Sequence, residues 1–238
     1  EEKELLQNGF FDAIVDGEQK RCCKINRIPM NSVAIVHVVT VHSPSLIFVR
    51  IINTIRDRLV VREPATLSPL KDRELEEFYY VLCPIEERTY GRARIIKIEP
   101  HPTNDNEKLV QLILIDDGNI VWANSSSLVS MDPDLSPGAK DLAYHPWQTS
   151  AVSLAGISPK KTPKNRDRNW EEKVRLRLQK LIDGFEKFKT KATTLHKNHN
   201  DYGVASVVSL LGLREKKDEE EEEKKYKINY VKPTLVRP

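Results

Sequence analysis

The residues best suited to chemistry stand together in a tight turn, Asp116-Asp117-Gly118-Asn119, between two runs of apolar residues. Asp-Gly and Asn favour such turns, so both acids are expected to be turn residues at the surface. A carboxylate also accepts the forked pair of bonds that an unmodified guanidinium donates, and methylation impairs that pair. Asp117 with Asn119 is therefore a candidate site for an unmodified arginine or lysine.

No other group of residues has the composition of a catalytic or metal centre. His37, His42 and Arg50 fall in a pair of predicted strands without the clustered carboxylates that a calcium-dependent nuclease needs. Cys22 and Cys23 are adjacent in sequence and lack nearby His or Cys partners for zinc. We expect a protein that is not an enzyme and that uses no metal and no cofactor.

A basic stretch is the second candidate binding surface. Residues 160–189 hold eleven Lys or Arg and five Asp or Glu, which could contact RNA phosphates. Aromatic residues for base stacking are lacking, because Trp170 falls on the apolar stripe of a predicted helix, and a solvated face is the simpler interpretation. The candidate contact residues are Lys160, Lys161, Lys164, Arg166 and Arg168.

The composition describes a globular chain of 238 residues with 39% hydrophobic residues and a net charge of only +3. It contains no apolar run of about 18 residues and no signal-like start, so no membrane association is expected. Three cysteines suit a reducing compartment, the cytosol or nucleus. The chain begins at Glu1 and ends at Pro238, which is expected of a segment of a longer protein.

Short strands dominate the first two thirds of the chain. Residues 33–38 and 45–51 are predicted to pair as strands. A small barrel is then predicted from short strands separated by turns at 84–87, 101–107 and 116–119. Its predicted strands are residues 78–82, 90–98, 109–115 and 120–123.

The last third combines strands with one helix. A strand is predicted at 151–157 and two more at 187–195 and 204–213. Between them, a helix starting at Trp170 is predicted from an apolar stripe, whose members are Trp170, Val174, Leu178, Leu181 and Ile182. Residues 215–225 hold seven acids and four lysines and are expected to be solvated. The order indicates a small barrel inserted into a second β-rich unit.

Several motifs, taken in order, resemble those of extended Tudor domains. Residues 89–95 resemble the "WYRA" strand of that family, and residues 114–119 resemble its "YIDYGN" hairpin. Residues 145–148 and 153–157 are similar to the "PxQA…CxLAGI" segment that follows the barrel. In that family a Tudor barrel is inserted into a staphylococcal-nuclease-like, OB-type barrel, and a long helix joins the two. The resemblance covers about residues 28–238.

The resemblance also assigns a binding site. Extended Tudor domains commonly hold methylarginine between three or four aromatic rings and one asparagine, and each cation–π contact contributes ~0.5–2 kcal/mol. Asn119 is retained, but none of the ring positions holds an aromatic residue: they fall near Ile85 or Glu86, and on Gly91, Leu114 and Asp117. The missing contacts are worth several of the ~8 kcal/mol of a micromolar complex. We therefore expect a degenerate cage.

The end of the predicted barrel that carries this degenerate cage would be shallow and apolar, and would suit an apolar side chain or a strand-like peptide. A rebuilt cage using Tyr90 or Tyr80 remains an alternative. Tyr90 cannot simply replace position 91, because neighbours on a strand point to opposite faces. Trp122 and Trp147 are expected to be packing residues.

The resulting prediction is a mainly β fold with helices. Residues 1–27 form an N-terminal extension, 73–137 a Tudor barrel, and 28–72 with 138–238 a discontinuous nuclease-like unit. The resemblance implies a scaffold of a germline small-RNA (piRNA-type) pathway, in cytoplasmic perinuclear granules, that binds an Argonaute-class protein, a helicase or another scaffold without requiring arginine methylation. Binding of single-stranded RNA by the OB-like unit and the basic stretch is the alternative function.

Overall fold

The computed structural model describes residues 10–15, 18–23, 25, 27–52, 59–62, 66–71, 74–132, 134–143, 145–159, 170–197 and 204–213. The chain divides into two compact units. The first comprises Glu1–Asn26, Ile55–Thr149 and Asn200–Tyr202. The second comprises Arg27–Thr54, Ser150–His199 and Gly203–Pro238.

Short strands make up most of the described residues, as the sequence indicated. Numbered along the chain, they are β1 (Phe10–Val15), β2 (Glu18–Cys23), β3 (Val33–Ser43), β4 (Leu46–Ile51), β5 (Val60–Val61), β6 (Tyr80–Glu86), β7 (Thr89–Pro100), β8 (Lys108–Leu114), β9 (Ile120–Asn124), β10 (Val129–Ser130), β11 (Ser150–Leu154), β12 (Lys187–Lys197) and β13 (Val204–Leu213). The described residues also include the helices Lys140–Ala143 and Glu172–Ile182. Neither described helix is long and apolar enough to cross a membrane.

The second unit is a closed five-stranded barrel with the order β3-β4-β11-β13-β12. Neighbouring strands are antiparallel except β11 and β13, which are parallel. This is the strand order of the OB barrel. Alternating β-branched and aromatic residues fill the interior, among them Val36, Val49, Phe188 and Val208.

The helix Glu172–Ile182 packs on this barrel through one face. Leu178 and Ile182 join the barrel core, as the apolar stripe predicted. Leu181 was predicted on the same stripe, but it is 42% exposed, because it lies beside the face that Leu178 and Ile182 bury. Trp170 precedes the helix instead of beginning it, and its indole N–H donates to Ser45 Oγ at 2.8 Å.

The first unit contains the sheet β10-β6-β7-β8-β9, with β5 added beside β7. Its core comprises inward-facing residues of the three central strands, including Val81, Ala93, Ile95, Val110 and Leu112. A closed barrel, a second sheet and few helices confirm the predicted mainly β fold class.

The first unit extends beyond the 73–137 predicted from the sequence because flanking segments bond to it. On one side, Val60 and Val61 of β5 pair with Gly91 and Tyr90 of β7. On the other side, the Thr149 hydroxyl donates to the Ile115 carbonyl at 3.1 Å. Pairing partners distant in sequence leave no periodic signal, so the sequence did not reveal these additions.

Two predicted strand limits were wrong. A turn was predicted at 84–87, but β6 continues to Glu86 and turns at Arg88, whose φ is 56°. A shift of register between Pro84 and Glu86 accommodates the proline, which lacks an N–H to donate. The strand predicted at 151–157 ends at Leu154, because Gly156 adopts a φ of 71° in the following turn.

Candidate functional site

The β8–β9 hairpin holds Asp117 as a turn residue. The Gly118 N–H donates to the Leu114 carbonyl at 2.7 Å, and Gly118 has the positive φ of 74° that glycine adopts without strain. The Asn119 N–H donates to Asp117 Oδ1 at 2.9 Å, so one carboxylate oxygen closes the turn. Asp117 is half-buried and Asn119 is exposed, so this turn is partly accessible to solvent.

Asp116 is not the surface turn residue that was predicted. It is only 3% exposed and forms a forked ion pair with Arg92. Arg92 Nε lies 2.9 Å from Asp116 Oδ2, and Arg92 Nη2 lies 2.5 Å from Oδ1. Adjacent acids of the same turn therefore have different roles, because Asp116 is paired with the buried Arg92 and Asp117 accepts the Asn119 N–H.

Arg92 is a buried centre that the sequence analysis missed. Its guanidinium bonds to Asp116 and also donates to the carbonyls of Leu142, His145 and Pro146. These bonds use all five N–H donors of the guanidinium, which allows the side chain to be 0% exposed. The bonds to the three carbonyls thus fix the segment 142–146 to β7 of the sheet. The one available signal was that Arg92 and Asp116 belong to the two motifs that carried the resemblance.

Ile85 and Gly91, two of the predicted site residues, lie in contact. A Cβ added to Gly91 would stand 3.2 Å from Ile85 Cγ2 and 3.3 Å from Ile85 Cδ1. Ile85 in turn packs against the barrel core. A side chain at position 91 would therefore require Ile85 to shift by a few tenths of an ångström.

Leu114, the third position, is also turned into the protein. It is 5% exposed and belongs to the core of the first unit. Ala93 is its partner across the strands, and Ala93 is fully buried. Ile85 and Leu114 thus pack at the same core of the first unit, and Gly91 lies beside Ile85.

The tyrosines considered for a rebuilt cage have other roles or other orientations. Tyr80 is 6% exposed, its hydroxyl oxygen accepts the Trp147 indole N–H at 3.2 Å, and the two rings meet edge to face at 6.5 Å. Tyr90 is half-buried on the strand residue next to Gly91, which directs it to the opposite face of β7.

The two tryptophans expected to be packing residues differ. Trp147 is 1% exposed and covers the outer face of β6. Trp122 is 46% exposed, so its assignment as a packing residue was wrong. It lies on β9, which pairs only with β8 among the described strands, and a sheet edge leaves one side of each residue uncovered.

The predicted basic contact residues, Lys160, Lys161, Lys164, Arg166 and Arg168, lie outside the described residues. Within the described ranges, no three His, Cys, Asp or Glu side chains are grouped to hold a metal ion. Cys83 is a buried free thiol, and burial raises its pKa to about 11. A thiol with so high a pKa is a poor nucleophile.

Comparisons with known proteins identify the fold. No protein-family model and no curated protein matches the chain. Among solved structures, the extended Tudor domain of Drosophila melanogaster Papi, as a mutant in complex with an unmethylated Piwi N-terminal peptide, is similar with a TM-score of 0.57. The identity is 15%, over 79% of this chain and 92% of the Papi chain.

Two further structures have the same architecture. The extended Tudor domain of human TDRD1, in complex with a symmetrically dimethylated E2F peptide, has a TM-score of 0.54 and 17% identity, over 79% of this chain and 84% of that one. Domain TD3 of mouse TDRD1, in complex with a MILI peptide that contains dimethylarginine, has a TM-score of 0.53 and 15% identity, over 80% of this chain and 87% of that one.

Proposed function

We propose that this chain, which folds as an extended Tudor domain, is a non-catalytic module that binds a protein partner without requiring methylation of the partner's arginines. The contact between Ile85 and Gly91 carries this proposal. A methylarginine cage needs open ring faces around a cation-sized space. Here the aliphatic side chain of Ile85 lies beside Gly91, and Leu114 is buried in the core of the first unit.

The polar residues of the β8–β9 turn support a partner of another kind. The Asp117 carboxylate gives a negative charge beside the exposed Asn119. A carboxylate favours an unmodified guanidinium or ammonium, because methyl groups on an arginine remove donors from the forked pair. Recognition would therefore combine an apolar surface with one acidic group.

The similar structures set the biological context that we propose. Papi and mouse TDRD1 are bound to Piwi and MILI peptides in those structures, and one Papi complex contains an unmethylated peptide. By analogy, the partner is a small-RNA pathway protein, such as an Argonaute-class protein, a helicase or a scaffold. The proposed location is the cytoplasm of germ cells, in perinuclear granules.

The experiment is co-precipitation from germ-cell extract with the wild-type chain and with Asp117→Arg. Asp117→Arg reverses the charge at the barrel end, whereas the matched control Asp134→Arg reverses an exposed acid elsewhere in the first unit. We expect the wild type and the control, but not Asp117→Arg, to recover a small-RNA pathway protein, equally from extracts with and without arginine methyltransferase inhibitor.

Two results would contradict the proposal. Recovery that disappears with the inhibitor would show that methylation is required. Recovery that disappears after ribonuclease treatment, or falls steeply with added salt, would favour RNA as the ligand.

A further inference from the structure

Three lysines, here called the lysine row, lie on the outer face of the second unit. Lys187, Lys189 and Lys191 alternate along β12 with Phe188 and Thr190, which are each 1% exposed. Because side chains alternate between the faces of a strand, the three lysines point out of the barrel at intervals of about 6.8 Å. Lys189 and Lys191 are exposed, and neither forms an ion pair with another described residue.

The charge of the lysine row is not balanced within the sheet. The three strands that form this face, β3, β12 and β13, contain no Asp or Glu in their described lengths. Lysine is depleted in strands, and on an open sheet edge it protects the strand from pairing with another chain. β12 has no open edge, because it pairs with β3 and with β13 in a closed barrel. The lysines therefore do not serve to protect an edge, and an anionic occupant would relieve their mutual repulsion.

Apolar residues border the lysine row on both sides. Val33 and Ile35 of β3 are the register partners of Lys191 and Lys189, and they are 53% and 36% exposed. On the other side, Leu211 of β13 is the register partner of Lys189 and is half-buried. Neighbouring strands lie about 4.8 Å apart, so an occupant that contacts a lysine also meets an aliphatic side chain beside it.

The composition of this face favours an acidic peptide over a nucleic acid. Proteins that bind single-stranded nucleic acid combine basic residues with aromatic side chains on which the bases stack. In the described lengths of β3, β12 and β13, the one Phe, Tyr or Trp is Phe188, and it is buried in the barrel core. A peptide instead offers carboxylates to the lysines and aliphatic side chains to Val33 and Ile35.

We propose that the lysine row and its apolar borders bind an acidic segment of a protein partner, in which aliphatic residues stand beside the acids. This surface consists of residues of the second unit, whereas the β8–β9 turn that supports the proposed function belongs to the first. Substitutions in one unit therefore test one proposal without testing the other.

Fluorescence anisotropy with labelled probes of about twelve residues measures this binding. One peptide is composed of Glu and Leu, a second replaces each Leu by Ser, and the third probe is oligouridylate of the same length. At low salt we expect the Glu/Leu peptide to bind about fivefold more tightly than either of the others, because only this probe matches both the charge and the apolar borders. Its affinity should fall as added salt screens the lysines.

Charge reversal locates the binding surface. Lys189→Glu combined with Lys191→Glu should weaken binding of the Glu/Leu peptide by about tenfold or more. The matched control is Arg177→Glu combined with Lys180→Glu, which changes the net charge equally at exposed positions of the helix. The control should leave the affinity within about twofold of the wild type. Far-UV circular dichroism of each variant verifies the fold.

Ile35→Thr tests the apolar border, because it removes aliphatic surface but keeps a β-branched side chain. It should weaken binding of the Glu/Leu peptide and leave binding of the Glu/Ser peptide unchanged. Tighter binding of oligouridylate than of the Glu/Leu peptide would overturn the proposal and identify a nucleic acid as the occupant. Equal affinities of the two peptides, or equal effects of the two charge reversals, would overturn it as well.

Discussion

Replacing Asp116 by Asn should strongly destabilise the first unit. The substitution keeps the size of the side chain but removes the charge opposite Arg92, whose side chain is 0% exposed. Removing one member of a buried ion pair costs ~3–5 kcal/mol, because the other charge stays buried without compensation. Asn retains one acceptor oxygen and the three carbonyl bonds of Arg92 persist, so we expect ~3 kcal/mol.

The neighbouring acid provides a matched control. Asp117→Asn changes the same charge by the same substitution, but Asp117 is half-buried and accepts the Asn119 N–H in the turn, and asparagine accepts that bond equally well. We expect it to change stability by less than ~0.5 kcal/mol. Urea denaturation of both variants measures the difference between their free energies of unfolding, with the same dependence of that free energy on urea concentration in each. Losses that agree within about 0.5 kcal/mol would refute the assignment of Arg92 and Asp116 as a buried pair.

Three further predictions follow from packing and burial. Gly91→Tyr should lower the free energy of unfolding by ~1–3 kcal/mol in urea denaturation, since its Cβ meets Ile85 at 3.2 Å. Ile85→Ala added to this variant should restore part of the lost stability. A larger loss in the double variant would contradict this contact. Cys83 should resist iodoacetamide in the native protein at pH 8, because burial raises its pKa to about 11. The free energy of unfolding should fall as the pH rises towards that value, because the Cys83 thiol of the unfolded chain loses its proton at lower pH than the native thiol. Rapid labelling of the native protein would exclude a buried thiol. Trp147→Ala should cost ~3–5 kcal/mol and Trp122→Ala less than ~1 kcal/mol, as thermal unfolding can measure, because the residues are 1% and 46% exposed; equal losses would contradict their burial.

Local pattern was sufficient to predict most elements. The runs at 33–38 and 45–51 became β3 and β4, and the stripe through Leu178 and Ile182 became the face of the helix that packs on the barrel. These signals lie within one element, so alternation or a helical period records them directly.

Contacts between distant segments could not be predicted in the same way. Turn chemistry predicted Asp116 at the surface, because the sequence did not show that Arg92 and the carbonyls of segment 142–146 meet there. Trp122 and Trp147 look alike in sequence, and only the neighbours of each side chain in the fold decide that Trp122 is exposed and Trp147 is buried. The space over Gly91 likewise depends on the rotamer of Ile85, which lies on another strand.

Isothermal titration calorimetry with one arginine-containing Piwi N-terminal peptide, unmodified and symmetrically dimethylated, tests the central claim most directly. The peptide pair differs only in the methyl groups, so the ratio of affinities measures the contribution of a cage. The absence of aromatic rings at positions 85, 91 and 114, held by Ile85, Gly91 and Leu114, predicts that the two titrations agree within about threefold in affinity. A gain of tenfold or more for the dimethylated peptide, ~1.4 kcal/mol, would contradict a module that binds without regard to methylation.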